Sequence, residues 1–226
     1  MDKFISIAID GPAAAGKSSV AKILASKYNL VYIDTGAMYR AFTYAVIKAG
    51  LDPKNEEASC TLIGKVLIDL KADHTVLCNG EDVTKKIRTF EVSSNVSYIA
   101  SYKDIRLELV EQQRNLAEKA SVIMDGRDIG TYVLPNANLK IFQIADLVKR
   151  AERRYAENIE KGISCTLEDV IKDLKDRDFI DSNRAFAPLS AAEDAIKLDT
   201  SDMTLNEVVD HIGNLIEEKL GLKEDE

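Results

Sequence analysis

Residues 11–19 read Gly-Pro-Ala-Ala-Ala-Gly-Lys-Ser-Ser, and this stretch decides the fold. Gly11 to Ser18 matches G-x-x-x-x-G-K-[ST] at every fixed position. Before it lies an apolar run, 4–9, too short for a helix and stopped by Gly-Pro. After it, Val20, Ile23, Leu24 and Tyr28 recur at helical spacing. The turn therefore joins a buried strand to a helix. Consecutive backbone N–H groups at such a helix N-terminus converge on one point, where the helix dipole favours negative charge. Gly11 and Gly16 permit a closeness of approach that a Cβ blocks. Lys17 adds a cation suited to β- and γ-phosphates, and Ser18 adds a hydroxyl suited to Mg2+. Gly11, Pro12, Ala13, Ala14, Ala15, Gly16, Lys17, Ser18 and Ser19 are together expected to hold ATP.

The strand-and-helix pattern continues outward. LVYID at 30–34 is a second apolar run, and the helical pattern behind it stops at Gly50. Runs at 121–126, 139–145 and 195–201 are three further short strands. Helical patterns occupy 99–120, 147–161, 166–177 and 204–220, with Thr166 and Asp169 at capping-box spacing. Five short buried strands separated by helices predict an α/β fold on a five-stranded parallel sheet. Residues 62–89 break the alternation. There, 75–78 and 81–83 flank Asn79-Gly80 and read as a β-hairpin with a tight turn. This segment is expected to be a small antiparallel insertion within one unit spanning 1–226.

Composition narrows the function. At 226 residues the chain is long enough for one sizeable core. A net charge of −8 and a pI near 5.0 speak against a general nucleic-acid or membrane-surface binder. Cys60, Cys78 and Cys165 are scattered and only His74 and His211 accompany them, so neither a disulfide framework nor a zinc site is expected. No signal or membrane-spanning pattern is present, and the expectation is a cytoplasmic monomer with a frayed acidic tail, LKEDE.

Two more strand ends carry chemistry. DTGAMYR at 34–40 and DGRDIGT at 125–131 place acids, a hydroxyl, glycines and arginines where ligands bind in open α/β sheets. Arg40 and Arg127 beside a phosphate loop suggest a second anion site. Arg150, Arg153 and Arg154 crowd about one helical turn, as a lid bringing guanidinium groups to a γ-phosphate would require. Arg177, Asp181 and Arg184 have the spacing of one helix face.

Together, GPAAAGKSS, DTGAMYR, NGEDVTKKIRTFEV, DGRDIGT and DRDFIDSNRAFAPL resemble the bacterial cytidylate kinases, in that family's order over residues 4–220. The phosphate loop is shared by many NTPases. The DGRD-x-GT and R-x-x-x-D-x-x-R-x-x-x-PL stretches and the hairpin insertion are far more specific. Ala13-Ala14 stand where relatives often show Ser-Gly, and Ser18-Ser19 where they often show Gly-Thr, though Ser18 keeps the general motif. The resemblance implies a P-loop NTPase fold with a helical lid at 147–162 and the insertion on the monophosphate side. It implies γ-phosphoryl transfer from ATP to CMP or dCMP. On the residues themselves, Ser18 is expected to hold Mg2+ directly, and Asp125 either to hold it through water or to stabilise its turn. The resemblance assigns Thr35, Arg40, Arg127 and Arg184 to the acceptor phosphate, with Tyr39 in the same substrate-binding set. Ser97, Arg106 and Asp128 would read the base, and Arg177 and Asp181 the sugar hydroxyls. Lys17, Arg127, Arg150, Arg154 and Arg184 form its catalytic set. The chemistry of the base agrees. Cytosine offers an amino donor at N4 and acceptors at N3 and O2, which suit a carboxylate flanked by donors. Uracil would turn a carbonyl toward Asp128 and leave a buried acceptor unpaired. A kinase for UMP, AMP or shikimate would share the phosphate loop without the base-reading trio. A regulatory nucleotide-binding module would bind ATP without fast transfer.

Overall fold

Strand-length and helix-length apolar patterns alternate through the computed structural model of the protein, which describes residues 4–160 and 162–224. Residue 161, at the edge of the expected lid, and the last two residues of the acidic tail lie outside the described residues. The chain begins with β1 (Ser6–Asp10), α1 (Lys17–Lys27), β2 (Val31–Asp34), α2 (Thr35–Lys48) and α3 (Glu56–Cys60). A small sheet follows, made of β3 (Ile68–Leu70), β4 (Val76–Cys78) and β5 (Glu81–Asp82), and then α4 (Phe90–Ile99) and α5 (Lys103–Ala117). The second half runs β6 (Val122–Gly126), β7 (Leu139–Ile144), α6 (Leu147–Glu160), α7 (Leu167–Asn183), β8 (Ile196–Asp199) and α8 (Leu205–Leu220).

The main sheet has the order β2-β6-β1-β7-β8, and every neighbouring pair is parallel. Alternation along each strand divides the core. Ala8, Ile33, Val122 and Met124 face α2, α4 and α5. Ile7, Ile9, Ile123, Leu139 and Ile141 face α1 and α8. With both faces covered, the inner strands β6, β1 and β7 read as largely apolar runs, while the edge strand β8 alternates Ile196 and Leu198 with Lys197 and Asp199. Among the described residues no helix is long and apolar enough to cross a membrane.

The insertion is antiparallel as expected, and its hairpin turn is the expected Asn79-Gly80, with φ of 50° and 80°. Both positive values are what a two-residue hairpin loop requires. The hairpin gains a third strand, β3, and Val76 and Cys78 pack into the α2 side of the core.

Two helical expectations change. The pattern at 99–120 is not one helix: α4 ends at Ile99, Tyr102 is extended (ψ 117°), and α5 starts afresh at Lys103. Thr89 caps α4 by accepting from the Val92 N–H, and Tyr102 donates its hydroxyl to the Pro53 carbonyl. The helix expected at 166–177 continues to Asn183, started by the Thr166–Asp169 capping box. Arg184 has left the helix at ψ 140°, so it follows the face carrying Arg177 and Asp181 rather than sitting on it.

Candidate active site

The carboxyl ends of the central strands open onto one cleft of about 880 Å³. The phosphate loop forms its floor. Gly11 has φ 151°, and a Cβ there would lie 1.9 Å from the Gln143 carbonyl oxygen on β7, so the chain passes only as glycine. Gln143 Nε2 donates to the Ala15 carbonyl at 2.6 Å, fastening the loop to the same strand. Ala14 adopts φ 58°, left-handed backbone at the position where relatives often carry glycine. Lys17 is buried, and its Nζ donates to the carbonyls of Gly11 (2.8 Å) and Pro12 (2.7 Å). Burial, and after it the Arg127 charge, push the Lys17 ammonium down to about 7, against the pull of Asp125, Asp10 and Asp181.

Adjacent strand ends supply the acids. Asp34 and Asp125 are register partners on β2 and β6. Asp125 accepts from Ser18 Oγ (2.7 Å) and the Tyr32 hydroxyl (2.8 Å), and its carbonyl accepts from Thr35 Oγ1 (2.7 Å). Burial, then the neighbouring Asp34, raises the Asp125 carboxyl above the ordinary range. Asp34 caps α2 through the Ala37 N–H and draws in Arg88 (3.4 Å) and Arg40 (3.8 Å). The Arg40 Nε is buried with no hydrogen-bond partner.

Opposite them, Asp128 lies between two buried guanidinium groups. Arg106 Nη2 donates to one carboxylate oxygen and Arg184 Nη2 to the other at 2.9 Å. Both arginines also donate to the Ala100 carbonyl, at 3.1 and 3.4 Å, which the break between α4 and α5 leaves free. The Tyr39 ring lies 5.3 Å from the Arg106 guanidinium. Ser97 on α4 is buried and lines the same wall. Arg127 Nε donates to Asp181 at 2.8 Å. Arg177 pairs loosely with Asp173 at 3.8 Å, and burial, then Arg127, lowers it to about 10. So many guanidinium groups pressed together signal a site for an anion.

The cleft gathers Ala14, Ala15, Gly16, Lys17, Ser18, Ser19, Thr35, Tyr39, Arg40, Ser97, Arg106, Asp125, Arg127, Asp128, Arg154, Arg177, Asp181 and Arg184. Gly11, Pro12 and Ala13 lie beneath it in the loop. Arg150 does not line it: its guanidinium donates to the carbonyls of Ala13 and Ala145, both at 2.9 Å, and to Asp178 at 2.7 Å. Sequence reasoning missed Asp10, Tyr32, Gln143 and Asp178, all of which serve the site through loops or other side chains. Asp10 accepts the N–H groups of Ile129 (2.8 Å) and Gly130 (2.7 Å), holding the π-helical turn that follows Asp128. The one signal for Asp10 and Asp178 was adjacency to Gly11 and Arg177.

The sequence profile described as cytidylate kinase matches residues 7–218. The chain belongs to the cytidylate kinase family. It is 50% identical over 223 residues to a cytidylate kinase of Anoxybacillus flavithermus, covering 97% of this chain and 99% of that one. A cytidylate kinase of Bacillus subtilis is likewise 50% identical over 222 residues, with the same coverage. Among solved structures, a gluconokinase from Sinorhizobium meliloti superposes with TM-score 0.50 at 12% identity, covering 98% of this chain and 97% of that one. An uncharacterized protein from Eubacterium ventriosum also gives TM-score 0.50, at 17% identity, over 94% of this chain and 98% of that one. At such identities these two likenesses speak for the fold alone. The cytidylate kinase family match extends beyond the phosphate loop, through the insertion and the arginine-rich stretch that carries Arg177 and Arg184.

Proposed function

We infer that the chain is an ATP-dependent phosphotransferase that moves the γ-phosphoryl group of ATP to CMP or dCMP, giving CDP or dCDP. The observation that carries this reading is Asp128, bracketed by Arg106 and Arg184 in the same cleft as Lys17. A carboxylate held between two donors complements the N4 amino group of cytosine and its neighbouring acceptors. Ser97 adds a third polar group to that wall. Thr35, Arg40, Arg127 and Arg184 receive the acceptor phosphate, where Arg40 has an uncommitted buried Nε. Tyr39 supplies a flat wall beside Arg106, and Arg177 and Asp181 meet the sugar hydroxyls.

On the donor side the backbone of residues 11–19 cradles the triphosphate, and Lys17 turns from loop carbonyls to phosphate oxygens. Ser18 Oγ and Asp125 Oδ2, 2.7 Å apart beside the loop, are hard oxygen donors that fit Mg2+. Among the described residues no group of three or more His, Cys, Asp or Glu side chains forms a metal cage, which suits an ion completed by phosphates and water. Ser18 would hold Mg2+ directly and Asp125 through water, and the ion would supply charge neutralisation to the bound phosphates. No side chain acts as nucleophile. An acceptor-phosphate oxygen forms the new P–O bond as the γ-phosphorus bond to the β,γ-bridging oxygen breaks and ADP leaves. Lys17, Arg127, Arg154 and Arg184, which line the cleft, neutralise the transferring group, while Arg150, outside the cleft lining and bonded to Ala13, acts through the loop. In this reading 62–89 is the acceptor-side insertion and 147–162 the lid, which excludes water as a competing acceptor. The protein works as a cytoplasmic monomer.

The test is ADP release from Mg2+ and ATP with CMP, dCMP, UMP, AMP and GMP offered separately. Rapid turnover confined to CMP and dCMP is expected. A best rate with another monophosphate would keep the kinase and discard the base-reading trio.

A further inference from the structure

We propose that Asp178 is a positioning residue for nucleotide binding, clamping the Ala13 peptide of the phosphate loop together with Arg150. This rests on the reading of residues 11–19 as the ATP-binding loop. Asp178 Oδ1 accepts from the Ala13 N–H at 3.1 Å, and Arg150 Nη1 donates to the Ala13 carbonyl at 2.9 Å. Asp178 Oδ2 and Arg150 Nη1 close the ring at 2.7 Å. Both polar ends of one residue are thus fixed by an ion pair that bridges α6 and α7.

The position of that residue gives the clamp its use. Ala14, next in the chain, holds left-handed backbone at φ 58°, a conformation that costs an alanine and relaxes when unsupported. Relaxation would swing the following N–H groups away from their common focus. The α6–α7 pair does not need Asp178 for its own packing, because Ala151, Val170 and Leu174 already form an apolar cluster there. Ala13 joins the same cluster. Ala13 thus ties the loop to the packed base of α6 and α7, and the carboxylate of Asp178 decides the orientation of the loop against that base.

The experiment is calorimetric binding of Mg2+ and a non-hydrolysable ATP analogue, and separately of CMP, to wild type, Asp178→Ala, Asp178→Asn and Arg150→Lys, with unfolding midpoints measured alongside. The expected result for Asp178→Ala is analogue binding weakened about tenfold or more, the loss of a partly buried hydrogen bond to a charged group, with CMP binding within about twofold. Asp178→Asn keeps an acceptor for the Ala13 N–H and is expected to fall between. If Asp178→Ala does not fold, Asp178→Asn and Arg150→Lys carry the same comparison. Equal weakening of both ligands with a lower midpoint would make the ion pair merely structural and overturn the proposal. So would unchanged analogue binding in the variants beside a wild type that binds. A wild type that binds no analogue would overturn the ATP reading itself, and the proposal with it.

Discussion

Replacing Asp10 by asparagine should make the protein's stability respond less to pH, in a direction fixed by the geometry. Asp10 is buried and accepts two N–H groups, from Ile129 and Gly130. Burial is the largest influence and raises its pKa from 3.8 to about 6, assisted by Asp128 and opposed by the two hydrogen bonds and by Lys17. A carboxyl raised on folding contributes most below pH 3.8, and that contribution is lost as pH climbs through 6. Integrated between these values, ionised Asp10 costs about 1 kcal/mol at pH 4.5 and about 3 kcal/mol at pH 7. Asparagine removes the titration but turns an NH2 toward one of the two N–H groups, a penalty of about 1–3 kcal/mol at every pH. The variant should therefore be less stable than wild type at pH 4.5 and gain on it by about 2 kcal/mol toward pH 7. Urea unfolding of both proteins across that range measures the difference, and subtraction cancels the titrating groups remote from Asp10, while the neighbouring Lys17 titrates only near the upper end of the range. A difference that stays flat with pH, or moves the other way, would refute the argument.

Three further outcomes are expected. Lys17→Ala should lower turnover by about 100-fold or more, because it removes the cation aimed at the phosphates, and wild-type-like ADP release would contradict the loop assignment. Asp128→Ala leaves Arg106 and Arg184 buried without their counterion, so stability should fall by about 3–5 kcal/mol in denaturant titrations. The same variant should lose its preference for CMP over UMP in kcat/KM more than its use of ATP, and an unchanged preference would clear Asp128 of reading the base. Gly11→Ala places a Cβ 1.9 Å from the Gln143 carbonyl, so calorimetry should show ATP-analogue binding lost while CMP binding persists.

The sheet was legible because both its faces are covered: strands buried on two sides leave largely apolar runs, and each expected run is a strand. The hairpin was legible because Asn79-Gly80 supplies the two left-handed residues its turn demands. The break after Ile99 was not, since Ile105 and Leu109 continue an apolar spacing and only tertiary contacts, among them Tyr102 to Pro53, show where the chain bends. In the cleft, the phosphate loop and Thr35, Asp125, Arg127 and Asp128 carry recognisable residue types at strand ends. Residues that act on backbone carry no such mark. Asp10, Gln143 and Asp178 each hold a peptide group distant in sequence, and a single chain read linearly does not reveal which one. Arg150 shows the reverse case, where an arginine in a basic helix face reads as a cleft residue yet bonds to the scaffold, at Ala145, Ala13 and Asp178.

β1 and β6 are hydrogen-bonded neighbours, one ending in the loop proposed for the donor and the other in the loop proposed for the acceptor. Adjacent strands lie about 4.8 Å apart, a spacing set by the peptide bond and indifferent to side chains. The gauge of the reaction is therefore built into the backbone, where mutation has little purchase. Changes in the hairpin, the base wall or the arginine helix can retune which monophosphate enters and how tightly, while the gap to be crossed stays the same. A scaffold of this kind can diversify in substrate without having to rediscover how to bring two phosphates together.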